Sequence, residues 1–273
     1  MIKFFALAFL FGLLTQNEFC AAGAAEPKAG ASRRPVSRTD FPRLFESYYQ
    51  AGNYGEARRL CVRAVESEDK NVSARAQFHL AGMIYEGKGG EKDFPEARRL
   101  LNLVAESGTE EISAAAQFNL AVMIYTEERD ESKLAEARRL FKIAAKSGNK
   151  KVSVSAQYNL AVMLQKGEGG KRNFPEARRL YGLAAEAGDI EAHHALAFMV
   201  YRGEGEESNP PEARRLFTLL AKKGNIGAQY NLAVMLYNGE GGEKDLTESL
   251  RILNLAATAG HTKAQETLRT HFS

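Results

Sequence analysis

The sequence predicts an all-α fold: an α-solenoid, in which antiparallel helix pairs stack into a right-handed superhelix. Three observations carry that expectation. One phrase, Glu56-Ala57-Arg58-Arg59-Leu60, returns at Glu96, Glu136, Glu176 and Glu212, with a worn copy from Glu248 to Ile252. A second phrase, from Ala76 to Met83, returns at Ala116, Ala156, Ala192 and Ala228, with a trace at Ala264. Helix starts and stops fall at matching offsets around both. Self-similarity at a fixed period marks an array of supersecondary units, none of which can bury its apolar face alone.

The period has two lengths: the first three steps from Glu56 are 40 residues each and the last two are 36. The difference lies between the two phrases. Four residues make about one helical turn, so segments such as Asn71-Val72-Ser73-Ala74 are expected to lengthen the front of one helix in each longer unit.

Taken in chain order, the N-terminus reads as a secretory signal peptide over residues 1–25. Lys3 gives a positive charge, Phe4 to Leu14 is an uninterrupted apolar run, and Cys20 to Ala25 is rich in small residues, with cleavage expected after Ala22, Ala24 or Ala25. The run is short of the roughly 20 residues that a membrane-spanning helix needs, so no integral span is expected. A secreted or periplasmic location follows, with a secretory-pathway lumen as the alternative. Residues 26–40 hold two prolines and four basic side chains and read as a flexible basic linker, through which peripheral envelope association stays open. Beyond the leader only Cys61 remains, so no intrachain disulfide can form. The net charge of +3 over 273 residues is too mild to argue for nucleic acid.

Residues 41–70 read as an N-terminal capping hairpin, 72–260 as five repeat units and 262–271 as a closing helix. Asp93-Phe94-Pro95-Glu96 places a capping side chain three residues before a glutamate, with proline in the first turn where its missing N–H does no harm. Asn53, Asn173, Asn209 and Asp245 repeat the arrangement. Gly108, Gly148, Gly188, Gly224 and Gly260 stand where left-handed C-terminal caps are expected. The segment Val72 to Glu86 is apolar nearly all round and is expected to be buried between neighbours. Glycine clusters such as Gly87-Lys88-Gly89-Gly90 read as turns, since they lack the spacing of a phosphate-binding loop.

One unit carries Ala76-x-Phe78-x-Leu80-x-x-Met83-x-Tyr85-x-Gly87-x-Gly89, then Asp93, Ala97, Leu100-Leu101 and Val104-Ala105-Glu106-x-Gly108. This pattern resembles the Sel1-like repeat, a relative of the tetratricopeptide repeat, and recurs through residues 72 to 271. Phe41 to Glu68 looks more like a tetratricopeptide hairpin. The resemblance implies a protein-protein interaction adaptor without cofactor. It departs from the family pattern at Ala81, Ala121, Ala161, Ala197 and Ala233, where the family often has glycine, and at Thr126 to Asp130, which replaces a glycine turn.

Helical spacing places a polar or small stripe on the buried helix around His79. Its equivalents predict a concave groove for a protein or peptide partner, lined by His79, Asn119, Val122, Asn159, Val162, Phe198, Asn231 and Val234. Asparagine offers a donor and an acceptor to extended backbone, and the apolar members could accept side chains. The paired arginines, from Arg58-Arg59 to Arg214-Arg215, read as a solvated outer face because each second arginine follows a glutamate by three. His193-His194 points two ways about 100° apart and is a poor metal pair, so no metal site is expected. No nucleophile, base and orienter recur as a set. The reading is a non-enzymatic exported scaffold; the rival is a cell-envelope hydrolase acting on wall fragments or β-lactams.

Overall fold

The structure, a computed structural model, describes residues 36–271. The expected signal peptide and most of the expected linker lie outside the described residues. Thirteen helices and no strand occur among the described residues. They are α1 (Asp40–Gln50), α2 (Tyr54–Val65), α3 (Lys70–Glu86), α4 (Phe94–Ser107), α5 (Glu110–Glu127), α6 (Glu131–Ala144), α7 (Lys150–Lys166), α8 (Phe174–Glu186), α9 (Ile190–Arg202), α10 (Pro210–Lys222), α11 (Ile226–Asn238), α12 (Leu246–Thr258) and α13 (Thr262–His271). The chain forms two compact units that divide within α7, at Ala156 and Gln157. In the first unit α1 to α6 pack each against the next in sequence, and in the second α8 to α13 do the same.

The second helix of each pair begins where its cap predicts. Asn53, Asp93, Asn173, Asn209 and Asp245 each accept the backbone N–H of the glutamate three residues on, at 2.9 to 3.4 Å. Each such cap contributes about 1 kcal/mol. The alanine after each glutamate is wholly buried in both units, at Ala57, Ala97, Ala137, Ala177 and Ala213. The two period lengths appear as expected: α3 and α7 have 17 residues and α5 has 18, whereas α9 and α11 have 13.

The longer and shorter pairs satisfy the same backbone group by different means. In the first unit Ser73, Ser113 and Ser153 donate their hydroxyls to the carbonyls of Val65, Ala105 and Ala145, eight residues back. In the second unit the amides of Gln229 and Gln265 donate to Ala221 and Ala257, again eight back. The carbonyl near the helix C-terminus thereby gains a side-chain donor in each case, and those of Ala221 and Ala257 also accept the N–H of Gly224 and Gly260.

Three expectations change. In the pairs Arg58-Arg59, Arg98-Arg99, Arg178-Arg179 and Arg214-Arg215 the two arginines do different work. The second pairs within its helix, as Arg99 does with Glu96 at 2.6 Å, and is solvated as expected. The first instead crosses to the turn of the following pair: Arg58 donates to the carbonyl of Glu91, Arg98 to the Glu128 and Glu136 carboxylates, Arg178 reaches Glu206 at 2.9 Å, and Arg214 donates to the carbonyl of Glu243. Spacing along one helix could not show this, because the partner lies some 30 residues away.

The turn glycines also do more than allow a positive φ. A side chain at Gly89 would overlap the Tyr54 carbonyl, and one at Gly241 would overlap that of Pro210. Each glycine lets its turn rest on the first residue of the preceding pair's second helix. Finally, left-handed caps occur at Gly188, Gly224 and Gly260, with φ of 101°, 81° and 90°, but Gly148 has no positive φ and Gly108 is extended at φ −72°. There α5 begins two residues later with Thr109 as its N-cap, so the chain passes from helix to helix without a left-handed reversal.

Candidate partner-binding row and family membership

The predicted row divides between the two units. In the first, on α3 and α5, His79, Asn119 and Val122 are buried, Asn119 completely. His79 lies among the rings of Phe41, Phe45 and Phe78, with the Phe45 ring centroid 4.1 Å away. Burial, reinforced by the charge of Arg75, pulls its imidazole down to about 3, so it is neutral at physiological pH. Asn119 has no hydrogen-bond partner for either amide atom among the described residues. An amide in that state carries its desolvation cost uncompensated.

In the second unit Val162 is buried, while Asn159, Phe198, Asn231 and Val234 are partly exposed. The α9 and α11 members form a connected group. Asn231 Nδ2 lies 3.3 Å from His194 Nε2 and donates to it. The His194 ring stands edge-on to Phe198 and Phe217, and Phe198 stands edge-on to Phe217. Burial lowers the His194 pKa. His193 is lowered too, first by burial and then by Lys223 and Arg215. His194 therefore serves to orient Asn231 and to pack two phenylalanines.

Val234 leads into a pocket of about 240 Å³ between α11, α12 and α13, lined by Tyr230, Val234, Tyr237, Leu253 and Thr267 among others. Its walls are held. His261 stacks on Tyr230 with centroids 4.6 Å apart, the Lys244 ammonium lies 5.0 Å over the Tyr237 ring, and Ser249 donates to the Ala233 carbonyl at 2.7 Å. The sequence reading missed this pocket. A usable signal was Tyr237, at the position held by Tyr85, Tyr125 and Tyr201 in other repeats. At that position Tyr201 donates to Glu240 and Gln165 to Glu204, each linking one pair to the next turn.

Among the described residues no group of three or more His, Cys, Asp or Glu is placed to hold a metal ion, and no helix is long and apolar enough to cross a membrane. Cys61 is buried and free, and burial pushes its thiol well above the usual range.

The Sel1 repeat pattern matches five consecutive stretches, residues 74–109, 114–149, 154–189, 190–225 and 226–261. The chain belongs to the Sel1 repeat family. Its fold is the all-α solenoid class of that family. Among solved structures, this Sel1 repeat chain is similar to a Sel1 repeat protein from Oxalobacter formigenes, with 26% identity, a TM-score of 0.68, and coverage of 84% of this chain and 86% of that one. It is also similar to c5321, a protective antigen of uropathogenic Escherichia coli strains displaying an SLR fold, at 25% identity and a TM-score of 0.62. That match covers 82% of this chain and half the length of c5321. No curated protein sequence matches the chain. The α1–α2 hairpin and α13 lie outside the five Sel1 repeat stretches.

Proposed function

We propose that the chain is a non-enzymatic, exported protein-interaction scaffold that binds a peptide or protein segment along the first helices of its second unit. The observation that carries this reading is the open row Phe198, Asn231 and Val234 ending in the apolar pocket between Tyr230, Tyr237 and Leu253. A bound segment would place one apolar side chain in the pocket. Its backbone would meet the Asn231 amide, whose carbonyl oxygen stays free to accept while Nδ2 is held by His194. Repeat arrays of this kind bind along extended surfaces, and a few buried apolar anchors supply most of the affinity in such contacts. Support for export is the Lys3, Phe4–Leu14 and Cys20–Ala25 pattern.

Selection of a displayed random-peptide library on the purified protein tests the binding site. Recovered peptides should share an apolar residue, and Val234→Lys should weaken their binding by about a hundredfold, as loss of one central anchor does. Peptides that bind Val234→Lys as well as the parent protein would remove the pocket from the site.

A further inference from the structure

We propose that the outward face of the second helices in the second unit is a dimerisation surface whose occupant is a second copy of this chain. The seventh residue after each repeat glutamate is apolar and solvent-exposed in five repeats: Leu103 and Ile143 in the first unit, and Leu183, Leu219 and Leu255 in the second. Exposure runs from 38% to 48%, so none of these is a core position.

The repeats themselves provide the control. The residue immediately before each of them is Asn102, Lys142, Gly182, Thr218 and Asn254, in order. That neighbour has drifted through four residue types, while the exposed position has stayed leucine or isoleucine in all five matched repeats. Shared descent alone would leave both positions equally scattered. Helix propensity does not distinguish them either, since lysine forms helix about as well as leucine at a solvated site. The N-terminal hairpin, which lies outside the matched repeats, has Arg63 at the corresponding place.

The face is also self-complementary. Leu183 and Leu219 each lie four residues beyond an arginine that is ion-paired to the repeat glutamate: Arg179 with Glu176 and Arg215 with Glu212, at 2.8 and 2.7 Å. Leu255 has the same setting beside Arg251 and Glu248. Residues at these spacings share one helix face. A carboxylate and a guanidinium therefore stand beside each leucine, so both signs of charge meet a like surface, with Glu186, Lys222 and Lys223 adding one net positive charge at its edge. A two-fold contact requires this property, because the same patch must serve on both sides. Leucines set once per 36 residues are best matched by an object with the same period, and a second copy has it.

Sedimentation equilibrium on the purified chain tests the proposal. The parent protein should show a concentration-dependent dimer, and the triple variant Leu183→Lys, Leu219→Lys, Leu255→Lys should associate at least about a hundredfold more weakly. Helical circular dichroism should be unchanged, and a triple serine variant guards against an effect of added charge. Every variant carries the same N-terminal segment, so association through Phe4–Leu14 would persist in all of them and count against the proposal. A monomeric parent protein at every concentration, as expected if the face takes an unlike protein or a lipid surface, overturns it.

Discussion

Asn119 and Asn231 occupy the same place in the repeat, yet one is sealed in the first unit with no partner and the other stands half-open in the second, bonded to His194. The contrast extends to neighbours. In the first unit the row begins with His79, enclosed by Phe41 and Phe45 of the α1–α2 hairpin. In the second it runs out into the pocket beside α13. Duplication therefore copied the residue but not its environment, and a shared side chain is not a shared role. In the first unit the row belongs to the interior; in the second, apart from the buried Val162, it is partly exposed.

The largest effect tests what the two units have in common. Gly89→Ala and Gly241→Ala should each destabilise by about 3 kcal/mol, because the added methyl overlaps a neighbouring carbonyl and the positive φ is strained as well. Urea denaturation reads this, and unequal losses would show that the two units stack their turns differently.

A smaller effect sets the units apart. His79 takes up a proton below about 6.5 in the unfolded chain but only near 3 in the folded one. Acid in that window favours the unfolded state, so stability is full above the unfolded value and is lost as pH falls toward 3. By pH 5 the loss should be about 2 kcal/mol, and His79→Leu should remove most of it. His193, His194 and His261 are lowered as well and leave a residual slope of the same sign. A pH profile unchanged by His79→Leu would mean that His79 is not sealed.

The smallest effect differs in sign. Asn119→Leu keeps the branched shape at a somewhat larger volume and removes two unsatisfied polar atoms, so the net effect should be stabilising by about 1 kcal/mol. Asn231→Leu loses one hydrogen bond at a half-exposed site and should stay within about 0.5 kcal/mol or destabilise. If both variants moved thermal stability the same way, the contrast between the units would fail.

The sequence by itself determined the period, the helix pairs, the capped starts and the one-turn difference between long and short units. Those features depend on residues within a helix or its cap: Asp93 reaches Glu96 without help from elsewhere. Tertiary structure decided three other things. It sent Arg98 across to Glu128 and Glu136 while Arg99 stayed on Glu96. It made Gly108 extended while Gly188 is left-handed. It closed the row at Asn119 and opened it at Asn231. Each of these turns on a group tens of residues away or on how the next helix enters. Repeats with nearly identical local sequence present identical local signals, so only their packed neighbours can tell them apart.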